Sequence, residues 1–244
     1  MTLRGLIFDV DGTLADTEEV HRQAFNAAFA AEGLPWAWDR RAYRDLLKVT
    51  GGQERIAHFI DALEIPASEK SKFVARVPVI HANKTQFYTN MVVAGGVNLR
   101  PGIAALLEEA RNADLALAIA TTTSGPNVEA LLQRTLGPRA LRWFGMIATG
   151  DLGVAKKPAP DIYLHVLDRL GLPPQDVIAF EDSANGLMAA KQAGLFTVVT
   201  PTQWTEDEDL SAADVILADL GDNGNLSFLS SQYSRALKSP REFA

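Results

Sequence analysis

The stretch LIFDVDGT occupies residues 6–13, where three apolar residues lead directly into two closely spaced carboxylates. A short run that is apolar throughout is typical of a strand buried on both faces of a parallel sheet. In open sheets of this kind, ligands bind beyond the carboxyl ends of the strands. The stretch therefore predicts a first strand at Leu6–Phe8, followed by functional carboxylates at Asp9 and Asp11 that can face the same side of an extended segment.

Five further apolar runs of similar length follow along the chain, and helical patterns separate them. Helices are predicted after the Pro101-Gly102 turn, around Pro126 with Ser124 as the N-cap, and from Ser183 to Lys191. This alternation favours an α/β protein with a doubly wound, Rossmann-like parallel sheet that is covered by helices on both faces. The remaining predicted strands are Leu115–Ala120, Phe144–Ile147, Val177–Phe180, Phe196–Val199 and Val215–Leu217.

Residues 16–96 interrupt the alternation, because they carry helical patterns and no strong strand pattern. Three apolar stripes at helical spacing are enough to bury a small core, so we predict a helical cap domain inserted after the first strand. A fourth helix is expected between Val74 and Tyr88, with Pro78 interrupting it. The core domain would comprise residues 1–15 and 97–224, with residues 225–244 as a tail docked by an apolar patch. The alternative is one enlarged domain with these helices packed on the sheet.

The composition excludes several kinds of chemistry. The 244 residues include no cysteine, which excludes disulfides, thiol nucleophiles and cysteine-bound metals. The net charge of −7 argues against broad binding to nucleic acid or to an anionic membrane. Residues 16–96 carry ten basic and ten acidic side chains, so the negative charge belongs to the rest of the chain. With no signal peptide and no apolar run of about 20 residues, we expect a cytoplasmic protein, and with no long apolar stripe, a monomer.

Polar residues follow the predicted strands at the edge where a ligand is expected. Thr121 follows the second strand, the Glu181-Asp182 pair follows the fourth, and Lys157 precedes a predicted helix. Taken singly, each has an ordinary explanation as a turn, cap or surface residue. Together they favour Mg²⁺ and phosphoryl transfer, because carboxylates bind Mg²⁺ while a lysine and a hydroxyl stabilise a phosphoryl group. One carboxylate could then act as nucleophile and another as general acid and base.

These residues resemble the four motifs of the haloacid-dehalogenase superfamily of phosphohydrolases. The motifs are Asp-x-Asp-Gly-Thr at residues 9–13, Thr121, Lys157-Pro158 and Glu181-Asp182. The resemblance implies that Asp9 is a nucleophile that forms an aspartyl-phosphate, and that Asp11 protonates the leaving oxygen and then activates water. Thr121 and Lys157 complete the implied catalytic set. The implied Mg²⁺ ligands are Asp9, Asp11 through its backbone carbonyl, Asp182 and, as a further candidate, Glu181.

Within the superfamily, segments 16–21, 157–161 and 181–186 resemble the β-phosphoglucomutase-like branch. Where the mutase has Gly-Val-Ser-Arg, residues 49–55 are Val-Thr-Gly-Gly-Gln-Glu-Arg, and this run is similar to that of the CbbY-type sugar phosphatases. Lys84-Thr85 before Tyr88, and Thr200-Pro201 before Trp204, add to that similarity. The CbbY-type group hydrolyses xylulose 1,5-bisphosphate, an inhibitor of the Calvin-cycle enzyme Rubisco, to xylulose 5-phosphate. The resemblance therefore implies a sugar bisphosphate as the small-molecule partner.

Substrate selection is expected in the cap, because the core residues only transfer the phosphoryl group. Glu18 and His21 share one predicted helix face near the hinge, where they contact sugar hydroxyls or help to close the cap. Gly51 and Gly52 offer backbone amides to an anion. A second phosphate of the substrate would be held by basic and hydroxyl side chains. The candidates are Tyr43, Arg44, Lys48, Arg55 and Lys84 in the cap, with Thr122 and Thr123 at the edge of the core.

Other functions share parts of this pattern. A β-phosphoglucomutase-type mutase, or a phosphatase with broad sugar-phosphate specificity, would use the same four motifs, and isomer formation would separate the mutase from a phosphatase. A phospho-accepting receiver domain also combines an acidic cluster, a threonine, a lysine and Mg²⁺, but its sheet domain is much shorter and has no cap. A non-catalytic binding protein is disfavoured by the intact pair Asp9 and Asp11.

Overall fold

A parallel sheet forms the centre of the computed structural model, which describes residues 2–222 and 224–238. Its strands are β1 (Gly5–Phe8), β2 (Ala116–Ala120), β3 (Met146–Ala148), β4 (Val177–Glu181), β5 (Phe196–Val199) and β6 (Val215–Ile216). Their order is β3-β2-β1-β4-β5-β6, and all neighbouring pairs are parallel. The chain crosses from one side of β1 to the other between β3 and β4, which makes β1 the switch point of the sheet. The predicted doubly wound parallel sheet is confirmed.

Helices cover both faces of this sheet. In chain order the helices of the described residues are α1 (Glu18–Ala31), α2 (Arg40–Leu46), α3 (Gly52–Asp61), α4 (Ala67–Val74), α5 (Val77–Val93), α6 (Ile103–Asn112), α7 (Gly125–Leu136), α8 (Asp161–Leu170), α9 (Ala184–Gln192) and α10 (Leu226–Lys238). Helices α6, α7 and α10 pack with Leu6 and Phe8 on one face, and α8 and α9 pack with Ile7 on the other. Neighbouring residues of β1 pack with different helices because successive residues of a strand point to opposite faces of the sheet.

Helices α1 to α5 bury an aromatic cluster of their own. Phe25, Trp38 and Tyr43 are buried in it together with apolar residues of α3 and α5. Trp204, from the segment that follows β5, joins the cluster and packs edge-on against Tyr43 with ring centroids 5.7 Å apart. Helices α1 and α5 also contribute side chains to the cluster on the sheet. The cap therefore buries its own core, while the division into domains at residues 16 and 96 stays a prediction.

Three local expectations differ from the structure. Pro78 does not interrupt a helix but lies in the first turn of α5, where its missing N–H costs no helical hydrogen bond. Ser124 precedes α7 without capping it, since its buried hydroxyl has no hydrogen-bond partner among the described residues. Residues 226–238 of the expected tail form α10, which buries Leu229 and Tyr233 because apolar residues recur along one side of the helix. Residues 239–244 lie outside the described part of the chain.

None of the helices in the described residues is both long and apolar enough to cross a bilayer.

Candidate active site

The carboxyl edge of the sheet brings the predicted catalytic residues into one cavity. Asp9 follows β1, Thr121 follows β2, and the Glu181-Asp182 pair lies at the end of β4, and these three strands are neighbours in parallel register. Lys157 reaches the same point from the loop that precedes α8. All of them line the cavity with Asp11, and residues of α1, α3 and α5 form its opposite wall. The site therefore lies between the core and the cap.

Lys157 is buried, and its ammonium group is fully hydrogen-bonded. Its Nζ atom lies 2.6 Å from Asp9 Oδ1, 2.6 Å from Glu181 Oε1 and 2.8 Å from the Ala120 carbonyl oxygen. Burial disfavours the charged form, but the two carboxylates outweigh burial and raise the pKa of Lys157 above its ordinary value. The lysine therefore keeps its charge beside Asp9, where a transferring phosphoryl group would need it.

Three buried carboxylates form an acidic cluster beside this lysine. Oxygens of Asp9, Glu181 and Asp182 lie within 4.8 Å of one another. Burial, followed by the charges of Asp9 and Glu181, raises the pKa of Asp182 well above its ordinary value, and no described residue forms a hydrogen bond or ion pair with its carboxylate. Lys157 compensates only part of the negative charge of the cluster. These residues fit a divalent cation that prefers oxygen ligands, such as Mg²⁺.

Burial also dominates the electrostatics of Asp9. It raises the pKa of the Asp9 carboxyl to about 7, against the opposing charge of Lys157, and Glu181 adds to the rise. The turn that follows Asp9 requires a glycine, because Gly12 has φ +80° and a Cβ there would collide with Asp182 Oδ2. The glycine of the first motif thus allows the first strand and the carboxylates after β4 to approach each other closely.

Asp11 begins a chain of polar contacts that leads from the core into the cap. Its Oδ1 atom accepts a hydrogen bond from the Thr17 hydroxyl at 2.6 Å and lies 2.8 Å from His21 Nε2. On the other side of the imidazole, Nδ1 lies 2.6 Å from Lys84 Nζ. Burial would raise the pKa of Asp11, but His21, the hydrogen bond from Thr17 and the charge of Lys84 hold it below its ordinary value. Asp11 is therefore the carboxylate of the site that contacts the cap.

Two basic residues lie on the cap wall of the cavity. Burial lowers the pKa of Lys84 to about 8, despite the opposing charge of Asp11. Arg55 donates hydrogen bonds to the Leu46 carbonyl oxygen at 3.1 Å and to the Tyr43 hydroxyl at 3.0 Å. Neither residue forms an ion pair with a carboxylate in the described part of the chain. Their positive charge is available to an anionic ligand.

Three residues that were expected to bind substrate lie away from this cavity. The buried Tyr43 donates from its hydroxyl to Glu18 Oε2 at 2.7 Å. Arg44 points toward the segment after β5, where it donates to the Gln203 carbonyl oxygen at 2.5 Å. Lys48 is exposed and outside the cavity lining. Adjacent residues of a helix point in different directions, so the burial of Tyr43 turns Arg44 away from the cap interior and toward the core surface.

The other candidate residues lie at the cavity, together with some that the sequence reasoning missed. The predicted residues that line it are Glu18, His21, Gly51, Gly52, Arg55, Lys84, Thr122 and Thr123. Among the missed ones, His81 lies one helical turn before Lys84, a spacing that could have indicated it. Asn185 Nδ2 donates to Thr50 Oγ1 at 3.0 Å, and Glu208 accepts the Ala184 N–H at 2.6 Å. No local sequence pattern predicts that Asn185 and Glu208 lie at the cavity, because their contacts there are with residues distant in the chain.

The fold and the site define a class of protein, and comparison with known families agrees. A model of the haloacid dehalogenase-like hydrolase family matches residues 3–194, and the chain belongs to this family. The enzyme is a phosphatase of the haloacid dehalogenase type.

Individual relatives extend the comparison. Protein CbbY of Rhodobacter capsulatus is 50% identical over 220 residues, which cover 90% of this chain and 95% of that protein. A phosphorylated carbohydrates phosphatase of Thermotoga maritima is 34% identical over 193 residues, which cover 79% of this chain and 82% of that protein. A crystal structure of a CbbY variant from Rhodobacter sphaeroides, in complex with xylulose 1,5-bisphosphate, superposes with a TM-score of 0.87 at 46% identity and covers 93% of this chain and 99% of that one. The predicted resemblance to CbbY-type proteins is confirmed.

Proposed function

We propose that this protein is a Mg²⁺-dependent sugar-phosphate phosphatase that hydrolyses xylulose 1,5-bisphosphate to xylulose 5-phosphate and phosphate. The observation that carries the proposal is the division of charge within one cavity, with Lys157 among carboxylates on the core side and Arg55 and Lys84 on the cap side. A substrate with a phosphate at each end matches this division, because a cation held by the acidic cluster together with Lys157 would bind one phosphate, and Arg55 and Lys84 would bind the other. The CbbY structure that contains this bisphosphate, at 46% identity, supports the same substrate.

Asp9 is the nucleophile of the proposed reaction. Its carboxylate attacks the phosphorus atom, the bond between phosphorus and the sugar oxygen breaks, and an aspartyl-phosphate forms. Lys157, with Nζ 2.6 Å from Asp9 Oδ1, and the Thr121 hydroxyl offset the negative charge of the phosphoryl oxygens. Water then attacks the same phosphorus atom, which releases phosphate and regenerates Asp9.

Asp11 is the general acid and base of the two steps. It gives a proton to the sugar oxygen as that oxygen leaves, and it removes a proton from the attacking water in the second step. Within the described residues, only its Oδ1 atom has hydrogen-bond partners, Thr17 and His21. The other oxygen, Oδ2, is therefore the one available to the sugar oxygen and the water.

The acidic cluster is the proposed Mg²⁺ site. Asp9, Asp182 and the backbone carbonyl of Asp11 would hold the ion, with Glu181 as a further candidate. When bound, Mg²⁺ supplies positive charge at the transferred phosphoryl group.

The cap wall is the proposed binding site for the rest of the substrate. Arg55, Lys84 and the backbone amides of Gly51 and Gly52 would hold the second phosphate, since cations and free N–H groups bind anions. Glu18 would contact sugar hydroxyls, and Thr122 and Thr123 would do so from the edge of the core. His21, whose two ring nitrogens contact Asp11 and Lys84, would instead help to close the cap. Tyr43 contributes indirectly through its hydrogen bond with Arg55.

A phosphate-release screen over sugar mono- and bisphosphates in the presence of Mg²⁺ tests the proposal. We expect the highest kcat/KM for xylulose 1,5-bisphosphate, above ribulose 1,5-bisphosphate and the monophosphates. Arg55→Met should raise KM for the bisphosphate about tenfold and leave KM for monophosphates almost unchanged, because it removes a charge that only the second phosphate uses. Lys48→Met, which removes an exposed basic residue outside the cavity, is the matched control.

Two outcomes of the screen would contradict the proposal. Equal kcat/KM values for mono- and bisphosphates would indicate a phosphatase of broad specificity. An isomeric sugar phosphate formed without release of phosphate would indicate a mutase.

A further inference from the structure

Tyr163 is a buried residue beside the active site to which the reaction above assigns no role. It is the third residue of α8 and comes shortly after Lys157 in the chain. Its hydroxyl donates a hydrogen bond to Glu181 Oε1, and its ring centroid lies 5.1 Å from Lys157 Nζ. One side chain thus contacts both members of the Lys157–Glu181 ion pair.

The position of the Lys157 ammonium group depends on Glu181. An ammonium group has three N–H donors, and those of Lys157 are all used, by Asp9 Oδ1, Glu181 Oε1 and the Ala120 carbonyl oxygen. The Ala120 carbonyl belongs to β2 and is fixed by the sheet. A movement of the Glu181 carboxylate would therefore pull the ammonium group away from Asp9 or leave one of its donors unsatisfied.

Hydrogen bonds fix one oxygen of the Glu181 carboxylate, and the other lies against α9. Oε1 accepts hydrogen bonds from Lys157 and Tyr163. Oε2 lies so close to Gly186 of α9 that a Cβ at that position would collide with it. The Tyr163 hydroxyl is buried together with this carboxylate and donates to it. Without this donor, Oε1 would keep only the hydrogen bond from Lys157, and the carboxylate could shift and move the ammonium group with it.

We propose that Tyr163 is a positioning residue for phosphoryl transfer, whose hydroxyl fixes the Glu181 carboxylate and thereby keeps the Lys157 ammonium group hydrogen-bonded to Asp9. Glu181 then acts as the counter-ion of Lys157. This inference rests on the proposed roles of Asp9 and Lys157. The hydroxyl of Tyr163, and not its ring, has this positioning role, because a phenylalanine at position 163 would keep the packing and the contact of the ring with the ammonium group.

The test compares Tyr163→Phe with Tyr233→Phe in the full chain, using the substrate with the highest kcat/KM in the phosphate-release screen. Tyr233 is the matched control, because its buried hydroxyl has no hydrogen-bond partner within the described residues. We expect Tyr163→Phe to lower kcat about tenfold and to leave KM almost unchanged, since a hydrogen bond to a charged group is lost away from the substrate. Tyr233→Phe should keep both parameters at their wild-type values.

A second measurement does not depend on turnover. The ¹H–¹⁵N signal of the buried Lys157 ammonium group, assigned with Lys157→Arg, should shift in Tyr163→Phe and stay in place in Tyr233→Phe. Gly186→Ala places a methyl group against the Glu181 carboxylate and so displaces it, while the Tyr163 side chain stays in the protein. This variant should also lower kcat and shift the Lys157 ammonium signal.

Wild-type kcat in Tyr163→Phe would overturn the proposal, and so would a lower kcat with an unmoved Lys157 signal. If Tyr163→Phe fails to fold, wild-type kcat in Gly186→Ala would overturn it in the same way. An active Asp9→Asn variant would instead refute the proposed nucleophile, while the Lys157 signal would still report whether Tyr163 fixes the ion pair.

Discussion

Two buried lysines face the active-site cavity, and their pKa values are shifted in opposite directions. Lys157 contacts the carboxylates of Asp9 and Glu181, which raise its pKa against the effect of burial. Lys84 contacts His21 and pairs with no carboxylate within the described residues, so burial lowers its pKa to about 8. The core lysine therefore carries a permanent charge, whereas the cap lysine titrates close to neutral pH.

The lowered pKa of Lys84 predicts a pH dependence of substrate binding. Below about pH 7 the residue is charged, and its charge is lost as the pH rises through about 8. We expect KM for a sugar bisphosphate to rise about tenfold between pH 7 and pH 9. Steady-state kinetics at constant ionic strength measure this change.

Variants of Lys84 provide the control for that pH dependence. Lys84→Arg should keep a low KM at both pH values, because arginine does not titrate in this range, and Lys84→Met should have a high KM at both. If KM rises between pH 7 and pH 9 in Lys84→Arg as it does in the wild type, a group other than Lys84 causes the pH dependence.

The position of Asp9 predicts loss of turnover without loss of fold. Asp9→Asn removes the nucleophile, while the amide oxygen can still accept the hydrogen bond from Lys157, which also keeps its contact with Glu181. We expect kcat for phosphate release to fall by at least about 10³-fold, with a near-native circular dichroism spectrum.

Asp11→Asn distinguishes the nucleophile from the general acid and base. The Asp11→Asn variant should also turn over slowly. Its nucleophile Asp9 is intact, so it can still form a phosphoryl adduct that intact-protein mass spectrometry detects. A phosphoryl adduct on Asp9→Asn would show that another residue is the nucleophile.

At the scale of elements, the junction between α2 and residues 203–207 holds the cap on the core. The Arg40 guanidinium lies 5.1 Å from the Trp204 ring centroid, and Arg44 pairs with Asp207 at 3.1 Å. Trp204 itself packs among the cap aromatics. The acidic residues Glu206 and Asp207 therefore pair with Arg44 of the cap, and this segment docks the cap through both aromatic and charged contacts.

Removal of the Trp204 side chain is expected to destabilise this junction. Trp204→Ala deletes a buried indole from the cap cluster and should lower the free energy of unfolding by about 3 kcal/mol. Urea denaturation followed by circular dichroism measures the loss. Trp143→Ala removes a half-buried indole near Arg111 on the core and should cost much less. Equal losses in the two variants would mean that Trp204 adds nothing specific to the contact between cap and core.

The predictions of strands and helices succeeded where the local sequence pattern was strong, and they failed where tertiary packing determined the secondary structure. All six predicted strands were found within one or two residues of their expected bounds, because each is a short apolar run between turn residues. The position of Pro78 was misjudged because proline both breaks a helix and begins one. The helical character of residues 226–238 was missed because the small apolar patch gains its stability only against α6 and the sheet.

At the scale of the whole molecule, the acidic cluster predicts that activity depends on a divalent cation. Because Asp9, Glu181 and Asp182 concentrate negative charge where a phosphate must bind, an anionic substrate without a cation would be repelled. EDTA treatment followed by desalting should abolish phosphate release, and added Mg²⁺ should restore it. The metal-free protein should keep its fold, since apolar clusters on both faces of the sheet hold the core. Full activity after removal of all divalent ions would refute the metal site.

The sequence by itself determined the doubly wound sheet, the motifs at its carboxyl edge and the helical nature of the inserted segment. These properties follow from local patterns, since apolar runs form buried strands and the polar residues after parallel strands share one edge. Only the tertiary structure decided which cap residues face that edge. Arg55 and Lys84 line the cavity while Arg44 and Lys48 do not, and Tyr163 lies under the Lys157–Glu181 pair. Such choices depend on how helices rotate when they bury their aromatic residues against distant segments, and no local pattern records that packing.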